Sequence, residues 1–167
     1  MKVILVRHAA AIERGGDVPD ERRYLTPEGR ASFRRTARTM AKRGVAPDLI
    51  LTSPLLRSVQ TADILAETLA YSGPLEAVEE LAPGFDLHRL ERVLGRYPQV
   101  GELVLVGHEP DLSDLIADLL GLPNDFKFKK GSAVRLNVDP ANLRGAAAFK
   151  WLAVGGKLLK SREEALG

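Results

Sequence analysis

The sequence predicts an α/β protein, a three-layer α/β/α sandwich with a mostly parallel central sheet. Short strand-like runs alternate with amphipathic helical stretches from the first residues onward. Three of the runs, Val3–Val6, Leu49–Thr52 and Leu103–Val106, are apolar on both alternating faces, which is typical of central strands covered by helices on each side. The 167 residues fit one domain. We therefore expect a single domain over residues 1–155 and a C-terminal tail, 156–167, without a firm pattern.

The remaining strand candidates are less regular. They are Leu75–Leu81, Ala133–Val138 and Ala147–Val154. The last strand or strands, near Ala147–Val154, are compatible with antiparallel pairing.

Four helices are readable from their apolar spacing and their end signals. Thr26 and Pro27 give a cap and a first residue, and Gly44 ends the first helix. The second helix begins at Ser53-Pro54. The third is indicated by the apolar spacing of Leu87, Leu90, Leu94 and Tyr97. The fourth has an apolar face of Leu112, Leu115, Ile116, Leu119 and Leu120 and ends at Gly121 and Pro123.

Composition excludes several kinds of chemistry. The chain has no Cys, which removes disulfides, thiolate zinc sites, iron–sulfur clusters and a cysteine nucleophile. The net charge of +2 is too small to favour nucleic-acid binding. No apolar run approaches the roughly 18 residues of a membrane span. We expect a cytoplasmic protein that binds neither nucleic acid nor membrane.

Polar residues that could bind a ligand or take part in catalysis follow each of the three central strands. Arg7 and His8 follow the first, Arg57 lies one turn into the helix after the second, and His108 follows the third. Ligands of open α/β sheets bind beyond the carboxyl ends of the strands. If the three strands are neighbours, these four side chains converge on one rim.

Two arginines and two histidines at such a rim suit a phosphoryl group. Guanidinium groups pair with phosphate oxygens, and the starts of helices add free backbone N–H groups. A neutral imidazole is a nucleophile toward phosphorus that needs no separate base. Either His8 or His108 could be this nucleophile, with the other donating a hydrogen bond to the phosphoryl oxygens.

Three segments resemble a known family. Leu-Val-Arg-His-Ala (5–9), Thr-Ser-Pro-Leu-Leu-Arg-Ser-Val-Gln-Thr-Ala (52–62) and Val-Gly-His-Glu-Pro (106–110) are similar to the signature segments of the histidine phosphatase superfamily. Together with the length, Tyr-Leu-Thr-Pro-Glu-Gly (24–29) resembles its SixA-type phosphohistidine phosphatases. The resemblance runs from residue 2 to about residue 138. It implies the phosphoglycerate mutase-like fold.

The resemblance also implies roles for matched positions. His8 would become phosphorylated, Arg7 and Arg57 would hold the phosphoryl oxygens, and His108 would complete the catalytic pocket and stabilise the transferring group. No metal or organic cofactor is implied. Ala9 stands where the wider superfamily commonly has Gly, and the acid or Asn of mutase-like members is missing shortly afterwards, which argues against a sugar-phosphate mutase.

The resemblance leaves the proton donor open. Larger relatives protonate the leaving oxygen with a carboxylic acid, for which Glu80 and Glu109 are candidates here. A protonated imidazole is a far better leaving group than an alkoxide, so a phosphohistidine substrate can do without a dedicated acid.

Other residues have structural alternatives. Arg57 could instead form a surface ion pair with Asp63 or another acid. Lys127, Lys129 and Lys130 either help to dock an acidic phosphoprotein or protect an edge strand. His88 is expected to be solvent-exposed. A basic run on the first helix is interpreted as a solvated face rather than a partner surface; it comprises Arg30, Arg34, Arg35, Arg38, Lys42 and Arg43.

The sequence therefore predicts a cofactor-independent phosphatase with a phosphohistidine intermediate. The expected substrate is a histidine-phosphorylated signalling or phosphotransfer protein, and inorganic phosphate is the product. A phosphatase for a small phosphorylated metabolite and a non-catalytic phosphate-binding module are the alternatives.

Overall fold

Seven strands form one sheet with helices on both faces in the computed structural model, which describes residues 1–167. The strand order is β3-β2-β4-β1-β5-β6-β7. The strands are β1 Lys2–Arg7, β2 Leu49–Thr52, β3 Leu75–Ala77, β4 Glu102–Gly107, β5 Ser132–Asn137, β6 Ala148–Val154 and β7 Lys157–Leu159. The helices are α1 Pro27–Lys42, α2 Leu56–Thr68, α3 Leu87–Arg96, α4 Asp111–Leu120 and α5 Arg162–Leu166.

The predicted α/β sandwich is confirmed, with a mixed sheet. Strands β1 to β4 pair in parallel, whereas β5, β6 and β7 each pair antiparallel to the preceding neighbour in the sheet. Antiparallel pairing thus begins one strand earlier than expected. The loop before β5 returns to the carboxyl end of β1, where the Gly131 N–H contacts the carbonyls of Arg7 and His8. β5 therefore starts at that edge and runs the opposite way.

The central strands are buried on both faces because their alternating side chains enter two different cores. Val3 and Leu5 pack in the layer of α3, α4 and α5, while Ile4 and Val6 pack in the layer of α1 and α2. Burying one such side chain fully contributes roughly 1.5–3 kcal/mol. This packing makes β1, β2 and β4 rigid supports for the polar residues at their carboxyl ends.

Helix ends follow their local signals, with one exception. The Thr26 hydroxyl accepts a hydrogen bond from the Gly29 N–H at 3.0 Å, and Gly121 ends α4 in the left-handed conformation. Helix α2, however, begins at Leu56 rather than at Ser53. The Ser53 hydroxyl is engaged by the Leu55 N–H and by a histidine ring at the end of β4.

Two segments differ from the sequence-based expectation. The run Leu75–Leu81 is a strand only to Ala77 and then turns into a 3₁₀ helix, Glu79–Leu81. Residues 125–131 do not form an edge strand, because the Phe128 backbone bonds to the side chains of Arg7 and Ser113 instead of a neighbouring strand. The edges of the sheet are β3 and β7.

The last residues carry defined elements where the sequence showed no firm pattern. β7 pairs with β6, and α5 places Leu166 in the core. No helix in the structure is both long enough and apolar enough to span a membrane.

Candidate active site

The four residues singled out at the strand ends lie around one cavity. Arg7, His8, Arg57 and His108 line a cleft of about 340 Å³. They meet because β1 and β2 are both direct neighbours of β4 in the sheet, so the carboxyl ends of these strands share one edge.

His8 is held as a neutral imidazole. The side chain is buried, with 8% exposed, and its Nδ1 lies 2.7 Å from the carbonyl oxygen of Ala9. A carbonyl only accepts, so Nδ1 carries the proton and Nε2 keeps its lone pair. Burial, together with the nearby His108, Arg57 and Arg7, lowers the pKa of His8 to about 3. At neutral pH this ring is therefore uncharged, with its nucleophilic nitrogen at Nε2.

His108 makes its hydrogen bond through the other ring nitrogen, Nε2. Its ring centre is 5.2 Å from that of His8, and its Nε2 lies 2.7 Å from the Ser53 hydroxyl oxygen. That oxygen already accepts a bond from the Leu55 N–H, so the hydroxyl proton can go to Nε2. When the hydroxyl donates to Nε2, the buried Nδ1 carries the ring proton, and this nitrogen has no partner within the protein.

The protonation state of His108 is also shifted. Burial, and then the charge of Arg57, lowers its pKa to about 4. The neutral ring can donate one hydrogen bond through Nδ1.

Arg7 and Arg57 place positive charge next to the two histidines of the cleft. Arg7 Nη1 donates to the Phe128 carbonyl at 2.8 Å, and Arg57, 2% exposed, donates from Nη1 to the Asp20 carbonyl at 2.8 Å. In both side chains Nε is buried without a partner. Burial lowers the pKa of both guanidiniums, yet arginine remains charged in proteins. Such unused donors can bind the oxygens of a phosphoryl group.

The Thr61 hydroxyl connects the segment after His8 to helix α2 by two hydrogen bonds. It accepts from the Ala9 N–H at 3.0 Å and donates to the Arg57 carbonyl at 2.7 Å. The segment after His8 also packs closely on α1, since a Cβ at Gly29 would lie 2.2 Å from the Ala10 carbonyl oxygen. Glycine at this position allows α1 to support the segment that carries the candidate nucleophile.

The sequence did not reveal one wall of the cleft, which is built around Asp20. Its carboxylate lies 2.9 Å from Arg23 Nε, 3.3 Å from Arg14 Nε and 3.4 Å from Arg57 Nη2. Burial acts to raise the pKa of Asp20, but these arginines hold it below its usual range. The ion pair of Arg57 is thus with Asp20 and not with Asp63. In the sequence, only the high proportion of charged residues in this loop indicates such a cluster.

The two carboxyl groups considered as proton donors are both engaged. Glu80 lies outside the cleft lining and pairs with Arg96 at 2.9 Å. Glu109 lines the cleft, but its carboxylate accepts from the N–H and hydroxyl of Ser113 at the start of α4. Near Glu80, the chain contributes Pro83 to the cleft instead.

Comparison with known proteins supplies the family. Residues 3–83 match the histidine phosphatase superfamily, branch 1. The phosphohistidine phosphatase SixA of Escherichia coli K12 is 25% identical over 154 residues, which cover 90% of this chain and 92% of that protein. A structure of the protein histidine phosphatase SixA complexed with tungstate superposes with a TM-score of 0.82 at 24% identity, over 93% of this chain and 97% of that one. The chain belongs to the histidine phosphatase superfamily. The predicted membership is confirmed, and it indicates a phosphatase of the SixA type.

Two further proteins are similar to this chain. An uncharacterized protein of Picosynechococcus sp. is 38% identical over 117 residues, covering 68% of this chain and 70% of that protein. The α-ribazole phosphatase of Shigella flexneri shares the fold with a TM-score of 0.69 at 20% identity, over 97% of each chain. The superfamily fold alone therefore does not define the substrate.

The remaining candidates of the sequence analysis lie in different places. Lys130 lines the cleft, whereas Lys127 and Lys129 line a separate cavity beside α5. His88 lies on the surface of α3 and does not line the cleft. Its side chain is 74% exposed, as the sequence predicted.

Proposed function

We propose that this protein hydrolyses phosphohistidine on a signalling or phosphotransfer protein, with His8 as the residue that is phosphorylated. The observation that carries the proposal is the neutral His8 ring, whose Nδ1 is bound to the Ala9 carbonyl while two arginines line the same cleft. The similarity to the E. coli phosphohistidine phosphatase supports the same reaction.

In the first step, His8 Nε2 attacks the phosphorus of the substrate. A bond forms between Nε2 and phosphorus, and the bond from phosphorus to the substrate's ring nitrogen breaks. The electron pair of that bond stays on the departing imidazole, whose other nitrogen holds a proton. The Nδ1–H bond to the Ala9 carbonyl stabilises the positive charge that develops on the His8 ring.

In the second step, water attacks the phosphorus of phosphorylated His8. The bond from phosphorus to Nε2 breaks, its electrons return to the ring, and the water oxygen leaves as part of inorganic phosphate with its protons shared between product and solvent. Arg7, Arg57 and the His108 Nδ1–H bind the phosphoryl oxygens in both steps. These donors are fixed before the reaction, so they stabilise charge without reorganising.

The arrangement of acids favours a leaving group that needs no proton donor. Glu80 is paired with Arg96 outside the cleft, and the Glu109 carboxylate accepts two hydrogen bonds from Ser113, so neither carboxyl group is free to face a leaving group. A protonated imidazole leaves readily without an acid, whereas an alkoxide does not. This supports phosphohistidine over a phosphate ester.

A specific observation favours a second candidate, a phosphatase for a small metabolite. The fold is shared with α-ribazole phosphatase, and a second anionic group could use Lys130, which lines the cleft and forms no ion pair. Arg14 and Arg23 also line the cleft but share Asp20 as their ion-pair partner. The non-catalytic phosphate-binding module is the third possibility.

The test is phosphate release, without added metal, from a histidine-phosphorylated carrier protein and from an aryl phosphate. We expect release from the carrier that is lost in His8→Ala and kept in His88→Ala, which removes an exposed histidine as a matched control. Release from the aryl phosphate alone would move the substrate to small molecules. Binding of vanadate without release from either substrate would favour the binding module, and unchanged release by His8→Ala would overturn the mechanism.

A further inference from the structure

Helix α1 concentrates positive charge. Its one acid is Glu28 at the first turn, and the whole chain has a net charge of only +2. The rest of the protein is therefore net acidic. The basic face of α1 consists of Arg30, Arg34, Arg35, Arg38, Lys42 and the capping residue Arg43.

None of these six side chains has an ion-pair partner. The seven ion pairs of the protein lie elsewhere, for example at Asp20, Glu80 and Asp118. Cations near a helix C-terminus complement the helix dipole, but this effect falls off within the last turn and cannot account for Arg30 or Arg34. The basic face is thus an unneutralised surface rather than a network of internal pairs.

Part of the basic face borders a groove. Arg35, Arg38, Lys42 and Arg43 line a depression of about 370 Å³ together with Thr39, Gly156 and Leu158. No acid lines it. Hydrogen bonds join the two sides of the groove, because the Thr39 hydroxyl lies 3.0 Å from the Gly155 carbonyl oxygen and the Gly155 N–H donates to the Thr36 hydroxyl at 2.9 Å.

The basic face begins beside the active-site cleft, and Gly156 in the wall of the groove follows a strand that ends at the cleft edge of the sheet. β6 runs in the direction of β1, since both are antiparallel to β5. Its last residue, Val154, pairs with Ser132, which follows the cleft residue Lys130 by two positions. The start of α1 lies next to the cleft, because the Thr26 N–H donates to the carbonyl of Ala10, which precedes the cleft residue Ala11. The helix ends toward the opposite edge, where the Ala46 N–H bonds to Glu102 at the start of β4.

We propose that the basic face of α1 is a docking surface for an acidic face of the phosphoprotein whose phosphohistidine enters the cleft. This inference rests on the proposed function. The cations extend along about 20 Å of helix, which exceeds a small metabolite and fits a protein surface. Complementary charge at such a surface raises the association rate and selects the partner.

The experiment compares two charge-reversed pairs on two substrates. Arg35→Glu with Arg38→Glu removes the centre of the basic face, and both side chains are exposed. Arg92→Glu with Arg162→Glu makes the same charge change in the opposite helix layer, also at exposed positions. The substrates are an acidic histidine-phosphorylated carrier protein and an aryl phosphate, each at low and high salt.

We expect the α1 pair to lower kcat/KM on the carrier by about tenfold at low salt and to flatten its salt dependence. Aryl phosphate turnover should stay near the wild-type value, which also reports correct folding. Equal losses on the carrier in both pairs, or no loss in the α1 pair, would overturn the docking surface. Wild-type release from the aryl phosphate alone would instead overturn the proposed function, and the docking surface with it.

Discussion

The ends of β1 and β4 present two histidines that look equivalent in sequence and differ in their hydrogen bonds. Both rings are buried and both pKa values are lowered, to about 3 for His8 and about 4 for His108. His8 bonds through Nδ1 to a backbone carbonyl, whereas His108 bonds through Nε2 to a hydroxyl. The first contact leaves a lone pair at Nε2 of His8, because a carbonyl only accepts, and the second leaves an N–H at Nδ1 of His108 when the hydroxyl donates. The partner atom, rather than burial or pKa, therefore separates a candidate nucleophile from a candidate donor.

The largest expected effect comes from removing each ring in turn. His8→Asn should lower kcat by about 10⁴-fold, because it removes the atom that accepts the phosphoryl group. His108→Asn should lower kcat by about 10²-fold, because it removes one hydrogen-bond donor to the phosphoryl oxygens. Intact-mass analysis after an alkaline quench should show a phosphorylated enzyme in His108→Asn and none in His8→Asn. A phosphorylated His8→Asn protein would reverse the two roles.

The second prediction concerns stability and pH. The pKa of His8 is about 3 in the folded protein and near 6.5 when exposed, so the unfolded chain binds an extra proton between these values. Keeping the ring neutral costs no stability above pH 6.5. As the pH falls from 6.5 toward 3, the unfolded chain gains a proton that the folded protein does not bind, so the free energy of unfolding decreases. Between pH 6 and pH 4, the free energy of unfolding should fall about 2 kcal/mol more in the wild type than in His8→Asn.

Urea unfolding at several pH values measures this difference. His88→Asn is the control, because its exposed ring should leave the pH dependence of the wild type unchanged. Parallel curves for His8→Asn and the wild type would show that the His8 ring is not held neutral in the folded state.

The parts of the fold that the sequence could predict are those set by local burial. Val3–Val6 and Leu103–Val106 are apolar because helices cover both faces of the sheet, and each run stops where His8 or His108 follows at the sheet edge. The change from apolar to polar residues marks the edge, so it also marks the residues that meet there. The first turn of α1 was predictable for the same reason, since the Thr26 cap is a local contact.

The Asp20 wall could not be predicted, because distant contacts hold its loop. The Ile12 N–H bonds to the Tyr24 carbonyl, Ala11 bridges to Leu25, and the Leu25 N–H bonds to the Gln60 side chain on α2. None of these pairings has a repeating pattern along the chain. The direction of β5 was missed for a related reason: it depends on where the preceding loop returns.

The smallest expected effect sharpens the comparison at His108. Ser53→Ala removes the hydroxyl 2.7 Å from Nε2, so the ring proton is no longer directed to Nδ1 and the donor is present for only part of the time. We expect kcat to fall about tenfold with little change in KM.

Ser58→Ala is the matched control, because its hydroxyl lies 3.4 Å from the same nitrogen and its removal should lower kcat less. Equal losses in the two variants would mean that packing around the ring, and not the Ser53 proton, orients His108. A larger loss in Ser53→Ala would show that one hydroxyl at the end of β2 determines which nitrogen of His108 faces the phosphoryl group as a donor.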